Sequence, residues 1–499
     1  MLTEKPDHML RYTFARDFGF AIVDAAGDTA KVAMRDDATV AMLPEVRRTV
    51  GKPLTIETHS KAAFDTLLSE LHAVDAIDSD IADDLPADSL DRALEGMPAA
   101  ADLLASEDDA PVIRLINSLI AEAVKNAASD IHLEPFETRL SVRLRVDGVL
   151  NEVASLSARM TPYIVSRIKV MARLDIAEKR IPQDGRLSLK LGSRQFDVRV
   201  STLPARHGER VVLRLLDASQ AHLSLEDLGM RPDSHQKLVS LLAEPNGIIL
   251  VTGPTGSGKT TTLYAGLGLL NDQSRNIMTV EDPVEYALDG ISQTQVNPKV
   301  GMTFASGLRA ILRQDPDVVM VGEIRDMETA EMAIQASLTG HLVLSTVHTN
   351  SAVAAITRLR DMGVEPFLLA STVKGILAQR LVRKLCSACK TLAENSDELK
   401  ARFDVDENEA ATFFSPVGCS ACSGKGYRGR IGIYELALVD SDLRRLIQEG
   451  ASEQDMEVTA FGGRNTLASN GRELVLAGIT TIEEVLRVSR IQEISDAGV

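Results

Sequence analysis

The chain contains no tryptophan, and Phe, Tyr and Trp together make up only 4% of it, so aromatic platforms for stacking single-stranded nucleic acid are scarce. Long hydrophobic runs are missing as well. The most apolar stretches, such as Gly247-Ile-Ile-Leu-Val251 and Val318-Val-Met-Val321, fall far short of the roughly 20 residues a membrane-spanning helix needs. Nor is there an excess of positive charge: 54 Lys and Arg against 71 Asp and Glu leave a net charge of -17, which disfavours general affinity for DNA or anionic lipid. The amino terminus, MLTEKPDHMLRYTFARDFGF, lacks the basic-then-apolar plan of a secretory signal, so the expected compartment is the cytoplasm. Cysteine is confined to 4 residues, which in a cytosolic chain points to a metal site before a disulfide framework.

What remains is an ordinary globular composition, 44% hydrophobic and 25% charged, spread over 499 residues. That length exceeds one compact core and, at about 150 residues per domain, predicts three or four units. The charge is unevenly divided. Residues 75–109 hold 12 acids against one base, Arg92, a local balance of -11 in an Ala-, Asp-, Ser- and Pro-containing stretch that reads as an acidic linker. Residues 139–214 run the other way, with 16 Lys and Arg against 7 Asp and Glu, a balance of +9. Many of these bases alternate with apolar residues, as in Arg139-Leu-Ser-Val-Arg143-Leu-Arg145, which puts arginines on one strand face and the core on the other. Val146-Asp-Gly-Val149 is a hairpin signal and implies an antiparallel sheet. A basic face in an acidic chain suggests a polyanionic ligand, with nucleotide phosphate the first candidate and nucleic acid its rival.

Gly253-Pro254-Thr255-Gly256-Ser257-Gly258-Lys259-Thr260 satisfies the phosphate-loop pattern, followed by Thr261. A β-prone run, Ile248-Ile-Leu-Val251, enters it and a helix-prone segment leaves it, as the motif requires. Glycines allow backbone N–H groups to converge on phosphate, Lys259 supplies a point charge to the β/γ oxygens, and the Thr260 hydroxyl can ligate Mg2+. Three apolar runs follow, ending at Glu281, at Gly322-Glu323 and at His348. Such continuous runs suit strands of a parallel sheet buried on both faces, whose carboxyl ends gather ligands in one crevice. Glu281 and Glu323 then fill the roles of base and metal-linked carboxylate, and His348 reaches the terminal phosphate. Either carboxylate, or the histidine, could instead be a surface group. Asp317 precedes its strand and belongs at the opposite edge of the sheet. The loop holds no arginine for transition-state charge, so that charge must come from elsewhere; Arg186, Arg199, Arg210 and Arg214 of the basic segment are the candidates.

The cysteines form two C-x-x-C pairs, Cys386/Cys389 and Cys419/Cys422, separated by 29 residues. Four thiolates in two such pairs suit tetrahedral Zn2+ with no open position, hence a structural site. A redox role is disfavoured because one pair would suffice.

Taken together, Ala128-Ser-Asp-Ile-His-Leu-Glu-Pro135, Ile181-Pro-Gln-Asp-Gly-Arg186, His207-Gly-Glu-Arg210, the phosphate loop, Thr279-Val-Glu-Asp-Pro-Val-Glu285, Leu312-Arg-Gln-Asp-Pro-Asp317, Gly322-Glu-Ile-Arg325, Thr339-Gly-His341 and the cysteine pairs resemble the secretion ATPases of the type II and type IV pilus systems. Within them the chain looks most like the type II component E branch. The resemblance implies an α/β fold: a RecA-like P-loop ATPase core, a PAS-like α/β domain, a small docking domain and a tetracysteine zinc insertion. The expected boundaries are 1–74 for docking, 75–109 for the linker, 110–222 for the basic PAS-like domain, 226–385 for the core, 386–430 for the zinc insertion and 431–499 for a helical carboxyl-terminal region. It further implies a homo-hexameric, ATP- and Mg2+-dependent translocase on the cytoplasmic face of the inner membrane. Its partners would be the cytoplasmic domain of component L and component F, with no nucleic acid, and its work would be pseudopilus assembly; pilus extension is the first alternative, and a nucleic-acid translocase using the basic segment the second. By the same resemblance Glu281 is the catalytic carboxylate, Glu323 the Walker B glutamate, and His341 with His348 a histidine box.

Overall fold

The computed structural model describes residues 10, 14–15, 18–25, 29–61, 63–64, 67–68, 90, 110–191, 194–217, 223–394, 412–462 and 465–489. Apart from Leu90, the acidic linker expected at 75–109 lies outside the described residues. The chain divides into two units, Met1–Ala218 and Ser219–Val499.

The first unit holds two sheets. Near the amino terminus, β1 (Phe20–Asp24), β2 (Ala30–Arg35) and β3 (Leu54–His59) form a three-stranded sheet in which β2 pairs antiparallel with β1 and parallel with β3. Helix α1 (Leu43–Val50) connects β2 to β3; it carries Pro44 in its first turn and stops at Gly51, whose φ of 66° an L side chain adopts only with strain. Phe20, Val32, Val46 and Val50 form the core of this piece.

Helix α2 (Ala110–Lys125) leads into β4 (Ala128–Pro135), β5 (Arg139–Val146), β6 (Val149–Ser157), helix α3 (Thr161–Met171), β7 (Gln183–Leu191), β8 (Arg194–Ala205) and β9 (Gly208–Asp217). The six strands pair antiparallel in the order β6-β5-β4-β9-β8-β7. The hairpin expected at Val146–Val149 is present: the two valines pair, and Asp147 and Gly148 take φ of 51° and 83°, as a two-residue primed turn demands. Alternation is obeyed too, with Leu140, Val142, Leu144 and Val146 packing under α2 and α3 while Arg143 and Arg145 face outward.

The second unit is built on seven strands: β10 (Gly247–Thr252), β11 (Ile277–Glu281), β12 (Ser292–Gln295), β13 (Val318–Val321), β14 (Leu342–Val347), β15 (Val373–Leu385) and, beyond a small pair formed by β16 (Thr391–Leu392) and β17 (Phe414–Ser415), β18 (Tyr427–Leu438). They form one sheet in the order β12-β11-β13-β14-β10-β15-β18. All neighbours are parallel except the last pair, β15 and β18. The runs expected to be doubly buried are so. Ile249 and Val251 pack on one face with helices α4 (Pro232–Leu242) and α5 (Lys259–Leu270), whereas Ile248 and Leu250 pack on the other, with α6 (Phe304–Ile311), α7 (Met327–Leu338), α8 (Ala354–Asp361) and α9 (Pro366–Thr372). Helices α10 (Ser441–Glu449), α11 (Glu453–Phe461), α12 (Leu467–Leu476) and α13 (Ile482–Val488) follow the sheet.

One expectation changes here, and one sequence signature is only half realised. Residues 431–438 are not the start of a helical region: they belong to β18, so the core sheet resumes after the cysteine insertion. Thr481-Ile-Glu-Glu484, which carries the sequence signature of a capping box, forms only half of one. Thr481 accepts from the Glu484 N–H, but the Glu484 carboxylate is taken by Arg383 and Arg487.

Candidate nucleotide site and tetracysteine cluster

Pairing fixes the site before any side chain is considered. Thr252 lies beside Val347, Val321 beside Ser345, and Val280 beside Val321, so the strands end nearly flush and deliver the phosphate loop, Glu281, Glu323 and His348 to one edge. The loop leaves β10 between β14 and β15 and runs directly into α5, whose first residue is Lys259. Gly253, Gly256 and Gly258 have φ of 152°, 79° and 89°. A Cβ on Gly253 would meet the Gln379 carbonyl oxygen at 2.6 Å, and one on Gly258 the Gln379 side-chain nitrogen at 2.8 Å, so glycine is required by both torsion and space.

Lys259 is buried, and its Nζ donates to the Gly253 and Pro254 carbonyls at 2.8 and 3.2 Å. Burial pushes its pKa down to about 8, with the Glu323 charge pulling the other way. Glu323 is also buried; Arg325 pairs with it, and His348 Nε2 stands 3.4 Å from its other oxygen. Burial and the charges of Lys259 and Arg325 lower the His348 pKa against the opposing pull of Glu323, which favours neutral imidazole. Pro254, Thr255, Gly256 and Ser257 form the turn, and Thr260 and Thr261 open the helix. The buried Ser257 hydroxyl makes no hydrogen bond among the described residues.

Glu281, the last residue of β11, is 3% exposed and engaged on both oxygens. Thr279 Oγ1 and Gln293 Nε2 donate to Oε1 at 2.6 and 3.1 Å, and the Tyr264 hydroxyl donates to Oε2 at 2.5 Å. Asp317 lies where expected, at the far edge, accepting from Asn276 N–H. The two histidines of the expected histidine box take different places. His341 precedes β14 whereas His348 follows it, and the His341 Nδ1 contacts the Ala336 carbonyl at 2.9 Å, so the two histidines sit at opposite ends of one strand.

Several residues at this edge carried no role in the sequence reading. Gln379 on β15 accepts from Thr262 Oγ1 and donates to the Ser257 carbonyl, bracing the loop at 2.7 and 2.8 Å. Arg380 beside it donates to the Asn350 carbonyl at 2.7 Å, and Thr252 is tied to Thr349. The available signal was a polar pair, Gln379-Arg380, interrupting the buried run Val373–Val382.

The basic candidates are in the first unit. Arg186, Arg199 and Arg214 occupy paired positions on β7, β8 and β9. Arg210 contacts Glu134 at 2.5 Å and Arg214 contacts Asp130 at 3.0 Å; Arg143 and Arg145 pair with the same two acids from the other side. The +9 face is therefore partly neutralised by buried carboxylates of the Ala128–Pro135 motif.

The four thiols converge at the ends of β15 and β18. All lie within 4.8 Å of one another, with Sγ–Sγ distances of 3.9 Å for Cys386–Cys419, and 3.8 Å for both Cys389–Cys422 and Cys419–Cys422. A tetrahedron with Zn–S arms of about 2.3 Å has edges of about 3.8 Å, so the donor set fits Zn2+. Burial opposes ionisation of Cys422, but N–H donation from Cys419 and Gly426 and the neighbouring thiols outweigh it and bring the pKa down to about 6.

A phosphate loop opening a helix at the carboxyl edge of a parallel sheet, with acidic residues on the adjoining strands, is the arrangement of RecA-like P-loop ATPases, and that is the class this fold defines. A family described as "Type II/IV secretion system protein" matches residues 105–487, and the amino-terminal domain family of "GSPII protein E" matches residues 9–72. The chain is 53% identical over 486 residues to "Type II secretion system ATPase E" of Vibrio cholerae, covering 96% of each, and 54% identical over 488 residues to "Type II secretion system protein E" of Pseudomonas aeruginosa, covering 97% of each. Among solved structures it resembles the pilus retraction motor PilT with bound ADP, with 28% identity and a TM-score of 0.52 over 75% of this chain and 96% of that one. The Legionella pneumophila ATPase DotB, 20% identical with a TM-score of 0.56 over 75% and 94%, shares the fold. The chain thus belongs to the type II/IV secretion system protein family, as a secretion ATPase whose near full-length relatives are type II component E proteins.

Proposed function

We propose that this chain is the ATPase that drives pseudopilus assembly and protein export in type II secretion, working as a homo-hexamer. The observation that carries the reading is the gathering of Lys259, Glu323 and His348 at one sheet edge, in a chain 53% identical to a type II secretion ATPase over 96% of its length. Lys259 and the loop amides hold the β/γ-phosphates, and Glu281 serves as the base for water. His348 reports on the terminal phosphate. Thr260 and Glu323 would hold Mg2+, which would supply positive charge to the phosphates. Arg199 and Arg210 of the basic domain supply cationic charge to the spreading transition state. Cys386, Cys389, Cys419 and Cys422 hold a structural Zn2+.

The partners are the membrane-anchored platform, component L through its cytoplasmic domain and component F, which recruit the enzyme to the cytoplasmic face of the inner membrane. Among the described residues no helix is long and apolar enough to cross a membrane. A nucleic-acid translocase is disfavoured by the pairing of Arg143, Arg145 and Arg214 with Asp130 and Glu134.

Glu281→Gln should lower steady-state ATP turnover by about 10²- to 10⁴-fold, the usual contribution of a general base, with folding and nucleotide binding retained. Near-normal turnover in that variant would remove Glu281 as the base.

A further inference from the structure

Glu281 is not held by its own strand alone. Its Oε2 meets the hydroxyl of Tyr264, which lies on α5, the helix that begins at Lys259. The same tyrosine oxygen accepts the Glu285 N–H at 3.2 Å, and Gln293 Nε2 lies 3.3 Å from it. The ionised carboxylate can only accept, so the hydroxyl's single proton goes to Glu281. Gln293, on edge strand β12, is similarly constrained. Its side-chain oxygen accepts from Leu288 N–H at 2.8 Å, which fixes the amide so that Nε2 faces Glu281 Oε1 at 3.1 Å and the Tyr286 carbonyl at 3.0 Å. Tyr264 is 3% exposed, and its pKa is raised far above the usual phenol range by burial, then by the Glu281 charge, so it remains a donor at any working pH.

We infer that Tyr264 and Gln293 are positioning residues for Glu281: they set the carboxylate's rotamer and hydrogen bonding, and couple it to the phosphate-loop helix. This rests on the reading of Glu281 as the base. The hydrogen bonds of both side chains go to Glu281 and to the segment that follows it, and none of them goes to the loop residues 253–260, so their loss leaves the loop's own bonds in place. Removing the tyrosine oxygen leaves one carboxylate oxygen without its donor and frees the side chain to turn. Changing Gln293 to a carboxylate removes the second donor and sets a like charge against Glu281, which favours protonation there.

The test uses full-length protein. Tyr264→Phe should lower kcat about tenfold, the worth of one hydrogen bond to a charged group, with the KM for ATP nearly unchanged. On the residual turnover of Glu281→Gln, adding Tyr264→Phe should cost nothing further, because its effect passes through the missing carboxylate. Gln293→Glu should move the acid limb of the kcat profile to higher pH, a change that a packing role would not produce. Wild-type kcat in Tyr264→Phe, a loss that persists in the Glu281→Gln background, or an unmoved acid limb in Gln293→Glu would each overturn the inference. Near-normal turnover in Glu281→Gln alone would overturn the base assignment instead, which keeps the two failures apart.

Discussion

Lys259 carries its charge where burial disfavours it, and this has consequences that pH can reveal. With a pKa of about 8, the side chain is a cation below that value and loses charge above it. Phosphate oxygens draw the proton back, so binding and protonation are linked. Nucleotide affinity should weaken as pH rises through about 8, and binding near that pH should take up protons, read by calorimetry in buffers of different ionisation heat. For stability the sign is opposite to that of an ion-paired lysine. Because the folded value lies below the ordinary 10.5, charging Lys259 opposes folding below about 8, and that cost is relieved as pH climbs from 8 to 10.5. At this scale the phosphate loop and Glu323 were readable in advance, since their spacing follows from phosphate chemistry. Gln379, Arg380, Tyr264 and Gln293 were not. They lie between 12 and 122 residues along the chain from the groups they brace, and sequence distance carries no record of that pairing.

Among the elements, strand ends decide more than strand interiors. Hydrophobic continuity in Val318–Val321 and Leu342–Val347 announced doubly buried strands, and parallel pairing then required their carboxyl ends to share an edge. The same rule separates His341 from His348, since a six-residue strand lies between them. The cysteine module shows what an element gains from its neighbours. Lys390 Nζ donates to the Gly478 carbonyl at 2.7 Å, and the Tyr427 hydroxyl meets Thr481 Oγ1 at 3.1 Å, so the module docks on the segment leading into α13. Glu484 in α13, bound by Arg383 and Arg487, is held at a pKa of about 2, burial opposing and the guanidinium hydrogen bonds prevailing. Cys422→Ser should therefore reduce bound zinc, by elemental analysis, and also speed amide exchange in residues 478–484. Unchanged zinc content with unchanged exchange would mean that the four thiols are only a packing cluster.

At the level of the whole molecule, charge and oligomeric state come together. The net -17 conceals a +9 segment, four of whose arginines pair with Asp130 and Glu134, and acidity overall does not preclude a phosphate ligand. If hydrolysis belongs to a ring, specific ATPase activity should rise with protein concentration and concentrate in hexameric fractions on size-resolved assay. The cytoplasmic domain of component L should increase it and DNA should not. Equal activity in monomeric fractions would count against the ring. By itself the sequence determined the P-loop class, the antiparallel basic sheet and the four-thiol site, because each rests on local spacing: a turn that needs glycine, a period of two, a C-x-x-C pair. Only the tertiary structure decided that β18 rejoins the core across the cysteine insertion, that the two histidines part, and that the basic face is partly neutralised. Those outcomes depend on which strands pair, and long-range pairing is settled by packing of the whole core, not by any one segment's pattern.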